Sequence, residues 1–470
     1  MKKVKEELIY KKTLIHYIPA VLIPAITNIF LTLGLARILS IELYGEYTYY
    51  TSLGVLITSI LSQWLVQSIQ KFNYSDKDKK EYVFMIIFVK KIYIYSFCLS
   101  MMGWICLVFF IGRTDNIASI ICSVVMLFTS QSLLAVQVAQ YAAEYYVKNI
   151  KAINMQQSFY KLISISLYLI LIDDYQLNEI ITVISVSNFL NLMLFIQYKE
   201  GIKTLFTNKN KNKKMKNFSE QLSMQFKKFI LYGLPMTGWF IGSNLLGVGD
   251  RIILKIFTDS SKVGIYSANY TLVSMGIGLL VSPLLQAAHP VIMNFGQENK
   301  GSDKKISNFI EQLSRKYLAI GLFIVVFLSI YYKKISLLLF GPEYQEGALI
   351  IPLTIVGIFL WNYSMYGHKG IELIGKPLKM MKYVIYSAVI NLGLNFILVP
   401  YLGINGSGIA TLIAYSSYAI LIKLDSKKNI KWIINYKLIL SLLIIYSLTL
   451  WAISPLVNRI LNLAISLTKT

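Results

Sequence analysis

The feature that most restricts this chain is a recurring apolar run of helical length, broken by short polar turns. A helix needs about 20 predominantly apolar residues to cross a bilayer. Runs of that size occupy 14–36, 47–68, 88–112, 117–141, 153–172 and 179–198, and after a polar stretch 229–249, 263–293, 314–332, 347–367, 379–399 and 404–424. With 56% hydrophobic and 15% charged residues across 470 positions and a mean hydropathy of +0.57, a soluble globular surface cannot be assembled. The sequence predicts an all-α polytopic membrane protein. Residues 435–467 read as one more hairpin broken at Pro455, its short second arm carrying Arg459, so fourteen spans are favoured over twelve or thirteen. The first run is longer than a signal core and lacks a small-x-small cleavage site, and it is expected to be retained.

Lys and Arg in short loops stay on the cytoplasmic side. With the N terminus inside, inner segments hold 34 of them and outer loops 7, which fixes the expected orientation in a cytoplasmic membrane. It also accounts for the net charge of +23 through topology and lipid headgroups. No nucleic-acid partner is therefore expected. Cys98, Cys106 and Cys122 all lie in apolar stretches and offer neither a disulfide framework nor a metal site.

An internal repeat is visible. Pro19 is followed nine residues later by Asn28, and Pro235 nine residues later by Asn244; each segment then reaches an arginine, Arg37 or Arg251. Beyond them YGEYTYYTSL (44–53) aligns with VGIYSANYTL (263–272), matching Gly45 to Gly264, Tyr47 to Tyr266 and Leu53 to Leu272. Duplicated bundles are common in transporters. Even-numbered halves enter the membrane in the same sense, so they should be related by an axis along its normal. The predicted organisation is a six-helix lobe at 1–198, a basic cytoplasmic linker at 199–228, a second lobe at 229–424 and an extra helix pair at 425–470.

The segments RILSIELYGEYTYY, YGLPMTGWFIGSNLLGVGDRIILKIFTDSSKVGIYSANY, LLFGPEYQEGALIIPL and NLGLNFILVPYLGINGSGIATLIAY, taken in order, resemble the polysaccharide transporters, lipid-linked oligosaccharide flippases of the multidrug/oligosaccharidyl-lipid/polysaccharide superfamily. The resemblance covers roughly 10–425. It implies two six-helix bundles in a V-shaped arrangement like that of the multidrug branch, opening alternately to either side. The implied cargo is an undecaprenyl-pyrophosphate-linked oligosaccharide; membrane lipids and other polysaccharide biosynthesis proteins are the implied partners. Helices 13 and 14 lie outside that twelve-helix core.

A sugar pyrophosphate crossing hydrocarbon needs polar groups and fixed positive charge. Gln63, Gln67 and Gln70 share one helical face, as do Gln137, Gln140 and Glu144. Such amides match sugar hydroxyls, and the same stripes equally serve as interhelical hydrogen bonds. Lys161 lies about two turns into the fifth run, facing the cavity or snorkelling to the interface; Lys90 and Lys91, nearer the inner mouth, are expected to snorkel. Arg37, Arg251, Asn28 and Asn244 complete the expected substrate-binding set. The arginines could grip pyrophosphate bidentately, pair with Asp250, Glu42 or Glu46 as a gate, or anchor at the interface. His289 and His368 are candidate proton-sensitive contacts or simply structural. Pro19, Pro24, Pro235, Pro283 and Pro290 break helices where alternating access needs bending, although proline is ordinary in membrane spans.

A multidrug extruder would share this fold, but the first two runs carry no mid-span acidic residue, and Glu144 and Glu372 lie near the cytoplasmic ends. A polymerase or glycosyltransferase would need carboxylates on a sizeable outer loop, whereas Asp173 and Asp174 occupy a six-residue turn. No phosphate loop or metal-ligand spacing occurs, so no enzyme and no cofactor are expected, with proton or sodium coupling left open.

Overall fold

The computed structural model describes residues 22–72, 79–111, 117–143, 147–199, 215–298, 302–374, 377–426 and 430–467. Among them the chain is helical almost throughout, as the apolar periodicity requires. The first six helices are α1 (Leu22–Ile38), α2 (Ile41–Phe72), α3 (Lys79–Ile111), α4 (Ile117–Ala143), α5 (Val147–Leu171) and α6 (Leu177–Lys199). Next come α7 (Met215–Phe257), α8 (Ser260–Glu298), α9 (Asp303–Phe340) and, after a short 3₁₀ turn at Pro342–Gly347, α10 (Ile350–Leu373). The stretch Pro377–Ser426 holds two helices, α11 (377–402) and α12 (404–426), on either side of Gly403. Two C-terminal helices follow, α13 (Tyr436–Ala452) and α14 (Ser454–Leu467). Six helical stretches are individually long and apolar enough to cross a membrane among the described residues; the α13–α14 pair passes only when joined, and is bent by 64°.

Local chemistry sets the helix ends. Ser40 Oγ accepts the Leu43 N–H at 3.2 Å and so caps α2, while Asp259 Oδ1 accepts the Lys262 N–H at 2.8 Å and caps α8. The caps obey the same register as Gly45 and Gly264. Asn435 caps α13 through Leu438 N–H at 3.0 Å. Gly341, with φ 96°, closes α9 and is followed by Pro342 at the start of the next turn. Gly403, with φ 54°, supplies a conformation that costs a side-chain-bearing residue about 1 kcal/mol or more, which is why the α11–α12 break falls there.

By packing the chain divides into two units. One comprises the residues up to Thr48 together with Leu245 onward, the other Tyr49–Asn244; the divisions fall inside α2 and α7. In the 49–244 unit, Leu65, Ile69, Ile86, Tyr93, Leu133, Val136, Ile153 and Phe229 form a fully or nearly fully buried core, and Phe97 stacks on Phe189 at 4.1 Å. In the other unit the core is aromatic: Tyr317 stacks on Phe359 and Tyr363, and its hydroxyl donates to Phe359 O at 2.7 Å.

The repeat-matched glycines meet. A methyl built on Gly45 would lie 1.7 Å from the Ser260 carbonyl oxygen, and one built on Gly264 would lie 2.5 Å from the Ile41 carbonyl oxygen. Each glycine thus presses on the carbonyl four residues before the other, a reciprocal contact expected at a two-fold axis between duplicated helices.

Three expectations fall outside the described residues: Pro19, Glu144 and the central part of the basic stretch, 200–214. Pro235 lies inside α7, which begins at Met215, well before its apolar run. Pro283 and Pro290 lie in α8 with His289, and nothing is described of the proline side chains.

Candidate functional site

In the 49–244 unit polar chemistry collects along α2, α3 and α4. Gln63 and Gln67 are half-buried and Gln70 is exposed, following their drift along the inner end of α2. The Gln63 Oε1 is buried without a hydrogen-bond partner among the described residues. Little more than a turn before, Thr58 Oγ1 donates to Gln131 Oε1 at 3.2 Å.

Lys90 departs from its expected place. It is buried in the core of the unit, and its ammonium donates to the amide oxygens of Gln137 and Gln140. Those two glutamines are three residues apart on α4 and so share a face; together they replace water around a cation that would otherwise be costly to bury. The α4 stripe therefore answers to a lysine on α3. Tyr93, one turn on, donates to Leu61 O at 3.0 Å and ties α3 to α2. Lys161 sits half-buried on α5. Asn244 donates to Ser59 Oγ, placing that repeat-matched amide beside α2, and Asn28 is half-buried on α1.

The other unit holds a denser polar interior. Asp250 is fully buried and accepts from Tyr266 Oη at 2.5 Å, Thr411 Oγ1 at 2.7 Å and Asn395 Nδ2 at 2.8 Å. Ser407 in turn donates to Asn395 Oδ1 at 2.6 Å. Arg251, also buried, donates to Ser267 Oγ at 3.0 Å and Gly247 O at 2.9 Å, and its guanidinium lies 5.0 Å from the Tyr270 ring centre. Tyr270 and Tyr415 share a hydroxyl contact of 3.1 Å. One turn from Asn395, Asn391 is fully buried, and among the described residues neither of its side-chain polar atoms has a partner. In an apolar span such groups persist only as parts of a network or toward a ligand. A single carboxylate surrounded by neutral amide and hydroxyl oxygens is a donor set for a hard cation of low charge, and Asp250, Asn391, Asn395 and Thr411 are the residues that could hold it. No cluster of three His, Cys, Asp or Glu exists among the described residues.

Arg37 is engaged elsewhere. Its Nε donates to Leu339 O at 2.8 Å and its Nη2 to Leu338 O, so the exposed guanidinium caps the C-terminal carbonyls of α9, where a cation is favoured. Arg37 and Arg251 thus serve different partners and do not converge on one anion site. The outer acid Glu46 pairs with lysine rather than with these arginines: Lys255 lies 3.6 Å away, and Ser260 Oγ donates to Glu46 at 3.3 Å. His368 is buried against the Tyr418 hydroxyl at 2.6 Å.

Sequence reading missed Asn391, Asn395, Ser407 and Thr411. The signal was present as two asparagines spaced i, i+4 in an apolar run, followed by the small polar segment NGSGIAT.

Comparison with known proteins places these features. The sequence pattern of a family described as "Polysaccharide biosynthesis protein" matches residues 10–295. An uncharacterized membrane protein of Methanocaldococcus jannaschii is 27% identical over 200 residues, covering 42% of this chain and 38% of that protein; the match thus spans less than half of that relative's length. Among solved structures, lipid II flippase MurJ in an inward closed conformation superposes with a TM-score of 0.70 at 12% identity, over 96% of each chain. The multidrug transporter DinF-BH gives 0.61 at 13% identity, over 91% of this chain and 97% of that one. The fold is that of the superfamily containing both.

Proposed function

The chain belongs to the polysaccharide biosynthesis protein family, and from that membership we propose that it is a flippase: it moves an undecaprenyl-pyrophosphate-linked oligosaccharide from the inner to the outer leaflet of the cytoplasmic membrane by alternating access. The observation that carries the reading is the polar interior of the 49–244 unit. There a lysine ammonium held by two amide oxygens and the buried Gln63 oxygen sit among helices otherwise apolar enough to span a membrane. An apolar drug needs no such surface, whereas sugar hydroxyls and phosphates do. Lys161, Gln63, Gln67 and Gln70 are the residues we assign to the headgroup. The lipid tail stays in the bilayer, so no covalent step and no catalytic residue are needed. The basic stretch 199–228 lies in the cytoplasm in this reading, with the N terminus on the same side, as the 34 to 7 distribution of Lys and Arg favours.

The reciprocal Gly45–Gly264 contact supports alternating access, because it joins equivalent points of two repeats with backbone alone and can separate without stripping side chains from a core. The Asp250 network supports coupling to a small cation, which would apply equally to cation-driven drug export. The deciding experiment is deletion in a strain without a redundant flippase, followed by leaflet-resolved detection of lipid-linked oligosaccharide. Loss of the outer-leaflet pool is expected. An unchanged pool, with cells newly sensitive to cationic drugs, would establish the export reading in its place.

A further inference from the structure

We propose that α14 is an interfacial helix docked on the phospholipid surface, so that α13 is the last membrane crossing. The argument begins with length. Fourteen residues span about 21 Å at 1.5 Å per residue, against a hydrocarbon thickness of about 30 Å. The 64° bend between α13 and α14 then turns most of that length out of the direction of α13.

The side chains give α14 two opposite faces. Lys334, on α9, donates to Asn458 Oδ1 at 2.8 Å and to Asn462 Oδ1 at 3.0 Å, so one face of α14 is pinned to the protein. At 100° per residue Leu456, Ile460, Leu463 and Leu467 centre roughly 150° away from those asparagines, and they are 60%, 56%, 62% and 68% exposed. No residue of α14 is fully buried. Arg459 is exposed between the two faces, and Lys333 is exposed beside Lys334.

The level of the crossing identifies the occupant. α14 meets α9 at a pair of adjacent lysines, less than two turns from the end of α9 at Phe340. Tyr446 and Tyr331 anchor α13 to the same helix through Ala319 O at 2.9 Å and Leu450 O at 3.4 Å. Lysines at that position belong among headgroup phosphates, and a stripe of leucine and isoleucine flanked by Lys333 and Arg459 matches a monolayer that is apolar below and anionic above.

The test is depth. Single cysteines at 456, 460, 463 and 467 in the full chain, with Cys98, Cys106 and Cys122 replaced by serine, are spin-labelled and reconstituted in vesicles of phosphatidylcholine and phosphatidylglycerol. Relaxation by oxygen and by a water-soluble nickel chelate gives the depth of each label. The interfacial helix requires all four just below the phosphates, about 5–10 Å deep, and within about 10 Å of one another. A helix completing a tilted span would spread them by about 14 Å over eleven residues. A spread above about 10 Å, or four labels fully open to the aqueous chelate, overturns the proposal. The labelled positions are all exposed, so folding is not at stake, and the result does not depend on what the protein transports.

Discussion

Replacing Gly45 by alanine tests whether α2 and α8 rely on bare backbone to meet. The added methyl falls 1.7 Å from the Ser260 carbonyl oxygen and also close to the Gly264 backbone nitrogen at 2.9 Å. Both obstacles are main chain, so no rotamer change relieves them, and an ordinary contact of about 3.5 Å is recovered only if the helices part by more than about 1.5 Å. Overpacking of this kind costs about 1–3 kcal/mol, which shifts a two-state equilibrium by about 5- to 150-fold. Glu46 and Ser260 provide the reporter, since their side chains approach to 3.3 Å where the helices touch. With cysteines introduced at both positions in a background free of native cysteine, oxidation should readily form a disulfide between them, and Gly45→Ala should slow it at least fivefold. Gly276→Ala is the control: among the described residues nothing lies within 4 Å of its added methyl, and a helical Gly→Ala change there should stabilise by about 0.5–1 kcal/mol. Equal cross-linking rates with and without Gly45→Ala, at unchanged thermal stability, would refute the steric argument.

Lys90→Ala strands two buried glutamine oxygens and should lower thermal stability by about 1–3 kcal/mol per stranded group, well beyond Lys91→Ala in a melting series in detergent. Arg37→Ala removes charged donors from the end of α9 and should cost about 1 kcal/mol; a melting temperature unchanged by Arg37→Ala would mean the cap contributes nothing. Asp250→Asn leaves Arg251 buried beside a neutral group and should destabilise by about 3–5 kcal/mol, with transport lost in reconstituted vesicles; full transport by this variant would remove Asp250 from the coupling scheme. Lys161→Ala should abolish oligosaccharide transport while the protein inserts and melts normally, and normal transport would withdraw Lys161 from the headgroup site.

What could be read beforehand divides along range of interaction. Helices were legible because apolar runs of membrane length admit few alternatives, and the Gly45–Gly264 pairing was legible because duplication leaves matching residues at matching places. The contacts that decide roles were not. Arg37 caps a helix 302 positions away, and no local pattern announces that partner. Lys90 looks like any lysine near the end of an apolar run until α4 supplies Gln137 and Gln140. The turn at Ile453 hides in uniformly apolar sequence, where an interfacial helix and a short span have nearly the same composition. Asn391 and Asn395 were visible as spacing but acquire meaning only when Asp250 and Thr411 arrive from other helices.

The discontinuous make-up of one unit has a consequence during synthesis. α1 and the first turns of α2 pack with residues beyond Leu245, among them the α9 carbonyls that Arg37 holds. At about 5–20 residues per second, roughly ten seconds to a minute pass between the appearance of Arg37 and of its partners. During that interval the intervening unit can assemble by itself, while the opening helices wait in the lipid with their polar groups uncommitted. A newborn chain is therefore most exposed to mispairing and to quality-control proteolysis before its second repeat arrives.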